Sequence, residues 1–262
     1  MKKNFRKIIS ILLILTTFVT AEVFAFQFSP LEQTFSPTGA GNTKTYTIVN
    51  DSNDSIAVEI TALTRSQDSQ GQEINSPATQ YFSIVPNKTI VKPQSSQIVR
   101  VQYRGPQTTT SELSFRIRAE QVPYSKGKNA DDNSMFNFLY VYTTSAYVEP
   151  SQVVERVSIR QVAPSYQIVE RTDDEGNVTK EKVETMAVTL SNLGTVHQLL
   201  IDATLIVQDS KGNTVKLSGE EQLSGLTGTN ILARKTITLQ IPWPSELSRE
   251  DGVQYKSKFD FS

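Results

Sequence analysis

The sequence predicts an all-β protein built from two antiparallel sandwiches in tandem. Three observations carry this. Short runs of alternating apolar and polar residues recur along the chain, separated by turn clusters. No stretch keeps helical periodicity for more than a few turns. The length of 262 residues suits two domains of average size, and the polar residues are mostly Ser, Thr, Gln and Asn rather than charge of one sign.

The elements follow in order. Residues 1–25 start with Lys2, Lys3, Arg6 and Lys7, continue as an apolar run from Ile8 to Val19, and place Val23 and Ala25 before a cut. That is the layout of a cleaved secretory signal, and the run is shorter than the roughly 20 residues a membrane span needs. The mature chain is then expected to start at Phe26, outside the inner membrane and not embedded in it. It keeps 22 basic and 26 acidic residues, a net charge of −4. In the first half, strands are expected at Phe26–Leu31, Thr43–Asn50, Ile56–Arg65, Gln80–Val85, Thr89–Lys92, Gln97–Tyr103, Ser114–Val122 and Met135–Val148.

After Pro150 a second series is expected at Val154–Val162, Tyr166–Arg171, Lys182–Asn192, Gln198–Gln208, Thr214–Leu217, Asn230–Ile241 and Tyr255–Phe261. Pro150 cannot donate to a ladder, so the boundary is set there: 26–150 and 151–262. Each part has the length of one immunoglobulin-like sandwich. Three turns share one chemistry: Asp68 to Gly71, Asp173 to Asn177 and Asp209 to Asn213. In each, Asp caps the turn amides and Gly or Asn supplies the positive φ.

Composition narrows the function. The net charge of the whole chain is −1, which gives no general reason to bind nucleic acid. There is no Cys and one His, His197, so disulfides, thiol nucleophiles, Cys-ligated zinc and a multi-His metal site are all excluded. The sequence holds no G-x-S-x-G, no P-loop and no H-E-x-x-H, and the reading is a non-enzyme without cofactor or metal. His197 reads as a hydrogen-bonded turn residue and Trp243 as packing at a strand end.

One strand is unusual. In Met135–Val148, Phe136, Phe138, Tyr140 and Tyr142 share one face, and Leu139 and Val141 the other. A strand apolar on both faces is either buried on both or lends its side chains to a partner. A polar stretch, 125–134, precedes it.

Here the chain resembles a known family. Gln97 to Pro106 and Glu112 to Pro123 are similar to the periplasmic chaperones of the chaperone–usher pilus pathway, the PapD-like family. So are Phe82 to Pro86, Val91 to Pro93 and Phe28 to Pro30, and more loosely Leu190 to His197 and Ile231 to Ala233. The resemblance implies two immunoglobulin-like domains set as an L, in the periplasm of a Gram-negative bacterium. It implies pilin or fimbrial subunits and an outer-membrane usher as partners. It also implies that the strand Met135–Tyr142 completes a subunit's open sandwich, with Phe136, Phe138 and Tyr140 inserted and Tyr142 behind them.

The family also holds the subunit's terminal carboxylate with two basic residues. By the resemblance these fall near Ser145 and near Gln33 or Thr34, none of which is basic. Arg116 and Arg118, on the neighbouring expected strand, are either the substitutes or residues of a solvated outward face. The resemblance also sets Glu149 where a basic residue is usual, opposite the acidic Glu112. The alternative reading is a secreted or surface-displayed structural or adhesive protein built from the same sandwiches.

Overall fold

The computed structural model describes residues 26–123, 139–173 and 175–261. Two hydrophobic clusters organise them. The first runs from Phe26 to Val148 and the second from Val162 to Leu247.

The first cluster lies between two sheets. Strands β1 (Gln27–Ser29), β2 (Glu32–Phe35), β3 (Thr43–Asn50), β4 (Ile56–Gln67), β5 (Glu73–Pro77), β6 (Phe82–Val85), β7 (Lys88–Val91), β8 (Ser95–Tyr103), β9 (Leu113–Val122) and β10 (Val141–Val148) form it. One sheet has the order β1-β3-β8-β6, the other β2-β10-β9-β4-β5, with β7 also on β4. Alternation decides which residues fill the core. Tyr46 and Ile48 of β3, Val58 and Ile60 of β4, and Phe115 and Ile117 of β9 all point inward at two-residue spacing. Phe82 sits at the centre, with edge contacts to Phe35, Tyr103 and Phe115.

The second cluster is held by β11 (Val157–Thr172), β12 (Val178–Asn192), β13 (Gln198–Leu199), β14 (Thr204–Asp209), β15 (Thr214–Ser218), β16 (Asn230–Ile231), β17 (Thr236–Pro242) and β18 (Tyr255–Asp260). Their sheets are β11-β12-β17, β13-β16 and β15-β14-β18. Trp243 packs on this core with its edge to Tyr255 and the Arg249 guanidinium over its face.

Several expected strands change extent. The two runs expected at Val154–Val162 and Tyr166–Arg171 are one strand, β11, paired with β12 from Val157 to Thr172. Pro164 does not end it, because β11 is an edge strand and its outer side needs no donor. The run expected at Gln198–Gln208 divides into β13 and β14, with Asp202 at a φ of 48° between them. The run at Asn230–Ile241 divides likewise at Arg234, with a φ of 62°. Strands β2 and β5 were not expected at all. Each is short and polar, with one buried side chain in β2 and none in β5.

The three Asp turns form as their chemistry demands. Asp68 accepts from the amides of Gln70 and Gln72, Asp173 from those of Glu175 and Asn177, and Asp209 from those of Lys211 and Asn213. A buried Asn closes a central strand in each sandwich. Asn50 donates to the carbonyls of Asp54, Val91 and Lys92. Asn192 donates to those of Val196 and Ile231.

Candidate functional site

Strand β10 is built unequally along its two sides. Strand β9 pairs with it throughout, from Val141 opposite Glu120 to Val148 opposite Leu113. On the other side β2 runs parallel, but only from Ser145 opposite Glu32 to Val148 opposite Phe35. Before Ser145, no strand among the described residues takes that second side. The hydrogen-bond alternation decides which groups face it. Gln121 donates to the Tyr140 carbonyl, so Tyr140, Tyr142 and Thr144 bond toward β9. Ser145 donates outward, to Leu31 at the head of β2. The amides of Val141 and Thr143 therefore point at an open edge, the arrangement that invites another strand.

The expected insert residues fall partly within this segment. Phe136 and Phe138 lie outside the described residues. Tyr140 and Tyr142 face inward and pack partly buried against the first core, with the Tyr142 ring edge-on to Phe26 at 4.7 Å. Leu139 and Val141 are the exposed pair, at 47% and 46%. The segment thus keeps its tyrosines on its own core and shows aliphatic side chains to solvent beside the open edge.

Where the open edge ends, charge gathers. Arg116 of β9 stands directly opposite Ser145, and its Nη1 donates to the Ser145 Oγ at 2.8 Å. Its Nε and Nη2 clamp the Glu73 carboxylate at 2.8 and 2.5 Å. Arg65 of β4 binds the same carboxylate through Nε at 2.8 Å, while its Nη1 donates to the Tyr147 hydroxyl at 2.7 Å. Burial raises the Glu73 carboxyl, but the Arg116 hydrogen bond, the Arg65 and Arg116 charges and an Asn75 bond outweigh it and hold it at about 2. Arg118, the other expected basic candidate, pairs with Glu120 at 3.0 Å on the half-exposed surface. Of the two arginines, only Arg116 meets the position Ser145 marks.

The same region joins the two sandwiches. The Tyr147 ring is fully buried and stacks on His197 with centroids 3.8 Å apart and planes 9° apart. His197 Nδ1 lies 2.9 Å from both oxygens of Glu112, whose side chain is 4% exposed. Asn230 donates to the Tyr147 hydroxyl, and Gln67 bonds both the Asn230 carbonyl and the Leu232 amide. The expectation that Glu112 and Glu149 face each other does not hold. Glu112 takes its partner from the second sandwich, and Glu149 accepts from the Ser36 hydroxyl.

Arg65, Glu73, Tyr147 and His197 were missed as site residues in the sequence. For Arg65 and Glu73 a signal was present. The Asp68 turn between them is legible, and its hairpin register sets Gln67 opposite Glu73, which brings Arg65 alongside. For Tyr147 on His197 there was none, because the contact depends on how two sandwiches meet.

Residues 37–153 match the family model described as the N-terminal domain of the PapD pili and flagellar-assembly chaperones. The matched stretch contains the open edge and the Arg116 cluster. This part of the chain is similar to the N-terminal domain of the PapD-like chaperones. Solved structures agree in fold. A chain of a chaperone–tip adhesin complex of CFA/I fimbriae biogenesis is 14% identical, with 90% of this chain and 97% of that one covered at a TM-score of 0.53. The class 5 fimbriae chaperone CfaA is 12% identical, with 91% and 100% covered and a TM-score of 0.53. A chain of the CsuC–CsuE chaperone–tip adhesion subunit complex of Acinetobacter baumannii is 11% identical, with 89% and 97% covered and a TM-score of 0.52. No curated protein matches the chain in sequence. The chain therefore has the two-domain all-β fold of these neighbours, the matched family comprises chaperones rather than enzymes, and the chain's role is that of a chaperone in pilus or fimbrial assembly.

Proposed function

We propose that this chaperone is exported to the periplasm on a cleaved signal, residues 1–25, and folds there as two domains, 26–150 and 151–262. It receives fimbrial subunits by lending them the strand that leads into β10, and passes them to an outer-membrane usher. Phe136 and Phe138 are the residues it inserts, with Tyr140 and Tyr142 anchoring the strand to its own core.

The observation that carries this reading is the edge from Val141 to Thr144, left open among the described residues. Backbone groups there satisfy a partner strand without regard to its sequence, and alternate side chains add apolar burial at about 25 cal/mol per Å². Such a surface holds an incomplete sandwich without nucleotide. The edge also limits where the partner strand stops. Strand β2 takes over at Ser145, so a strand added parallel to β10 ends beside Arg116. Its terminal carboxylate then lies next to a guanidinium. Arg116 is the anchor in this reading, and Arg118 flanks the strand two pairs earlier, opposite Thr143.

Co-purification tests the proposal. The tagged wild-type chain is expected to elute from the periplasm with a small secreted β-protein in one-to-one ratio, identified by mass spectrometry. Phe138→Glu is expected to stay folded by circular dichroism and to lose that protein, since a charge would be buried unpaired. Undiminished capture by the folded variant would remove the strand assignment.

A further inference from the structure

The second sandwich carries an edge that its own fold leaves open. Strand β17 pairs with β12 only as far as Thr185, and β11 continues along β12 from Ser165 to Thr172 with no third strand on either side among the described residues. The ladder alternation says which backbone groups are free. Asp173 donates to the Asn177 carbonyl at the turn, so Arg171, Val169 and Gln167 bond toward β12. Pro164, which has no donor to give, stands where the same alternation asks for none. Tyr166, Ile168 and Glu170 therefore turn their amides and carbonyls outward. Their side chains share the face of Val162, which is buried in the core, but Tyr166 and Ile168 lie beyond it and are 55% and 57% exposed.

A row of free backbone groups beside exposed apolar side chains accepts another strand. We propose that it accepts the same edge of a second copy of this chain, antiparallel about a two-fold axis at Ile168. That register uses only the free segment. It sets Ile168 against its counterpart, Tyr166 against Glu170 and Pro164 against Thr172, so one ribbon ends where the other leaves its sandwich. Every facing pair then consists of outward-turned residues, as the closely spaced bonds of an antiparallel ladder require. Tyr166 and Ile168 of both copies join into one apolar row. The charges agree as well. Lys182 lies over the Tyr166 ring at 3.8 Å, and Glu170 of the second copy arrives opposite that ring, an anion for this cation. The axis repeats the pair. The edge of β12 fails the same test. Its outward residues are Lys180, Lys182 and Glu184, and a two-fold axis within its free part sets Lys182 against Lys182 or against Lys180. The pairing belongs to the second sandwich, so each copy keeps the open edge of β10 for a subunit.

Sedimentation velocity of the mature chain, purified without a subunit, tests this. One strand pair is a small interface, so a reversible dimer with a Kd on the order of 100 µM is expected. Ile168→Glu keeps the ribbon, because the new carboxylate faces Lys182 across the strands, but sets two carboxylates together at the axis. It is expected to weaken association at least about tenfold, and Glu170→Gln, which only removes the anion, about threefold. Urea unfolding shows that both variants are folded. The absence of Cys gives a second reading. At the axis the two Cα atoms of residue 168 stand about 5.5 Å apart, within disulfide reach. On mild oxidation Ile168→Cys is expected to join to itself at least about tenfold faster than Val178→Cys, which is as exposed but far from the axis. A chain that stays monomeric to about 1 mM, with no faster joining at residue 168, overturns the proposal. So does a dimer indifferent to Ile168→Glu, since it pairs elsewhere. Protection of the Ile168 and Glu170 amides that arises only with a co-purified subunit assigns the edge to that partner and overturns the second copy.

Discussion

A carboxylate as buried as Glu112 needs a donor close by, and the single histidine of the chain provides it from the other sandwich. The sequence showed the acid but not its partner, because Glu112 and His197 are 85 residues apart and meet only through the packing of the two sandwiches. Arg116 was legible as a basic residue beside Ser145, since both lie on strands whose alternation is clear. Its partner Glu73 was not, because β5 has no apolar pattern to mark it as a strand. The Glu73 triad has a consequence in acid. Its carboxyl lies below its usual 4.5, at about 2, so the ionised form is favoured by folding. The stability it contributes is complete above about pH 4.5 and is lost as pH falls toward about 2. The difference in unfolding free energy between wild type and Glu73→Gln is expected to be constant above about pH 5 and to shrink steadily across that interval. Chemical denaturation at stepped pH reads it; a difference independent of pH would mean that the triad does not hold the carboxyl down.

At the scale of elements, alternation made the central strands legible and failed at the margins. β3 runs from Thr43 to Asn50, the bounds its pattern gives, because its inward residues Tyr46 and Ile48 are both wholly buried. Strand β11 and the start of β12 behave otherwise. Strand β17 pairs with β12 only from Thr185 to Ser191, so beyond Pro164 the two form a ribbon without a third strand. Its residues are exposed, including Tyr166 and Ile168. Cross-strand pairs hold it instead: Glu170 with Lys180, Arg171 with Glu181, and Lys182 over the Tyr166 ring. Such a ribbon has polar and apolar residues in no order that a core would impose, and the sequence accordingly suggested a break at Pro164. The two ends of this hairpin are expected to respond differently to mutation. Leu190→Ala, in the core, should cost about 2–5 kcal/mol, and Ile168→Thr, in the ribbon, less than about 0.5 kcal/mol, by urea unfolding. Equal costs would place the ribbon in the folding core.

For the molecule as a whole, the length and turn spacing were enough to suggest two sandwiches, and the resemblance supplied their family. How the sandwiches touch was not in the pattern. Gln67, Tyr147 and Glu112 of the first meet Asn230, Leu232 and His197 of the second by hydrogen bonds and one ring stack. These contacts stand beside the Arg65–Glu73–Arg116 cluster, since Tyr147 belongs to both. The open edge of β10 therefore leads directly into the junction of the sandwiches. The central claim is that this edge receives the subunit, and amide hydrogen exchange at Val141 and Thr143 tests it most directly. In the free chaperone both amides should exchange fast, while Tyr142 and Thr144, bonded to β9, exchange slowly. In the complex with its co-purified subunit, Val141 and Thr143 should slow by at least about tenfold. A stable complex in which these two amides still exchange at their free rate would contradict the account.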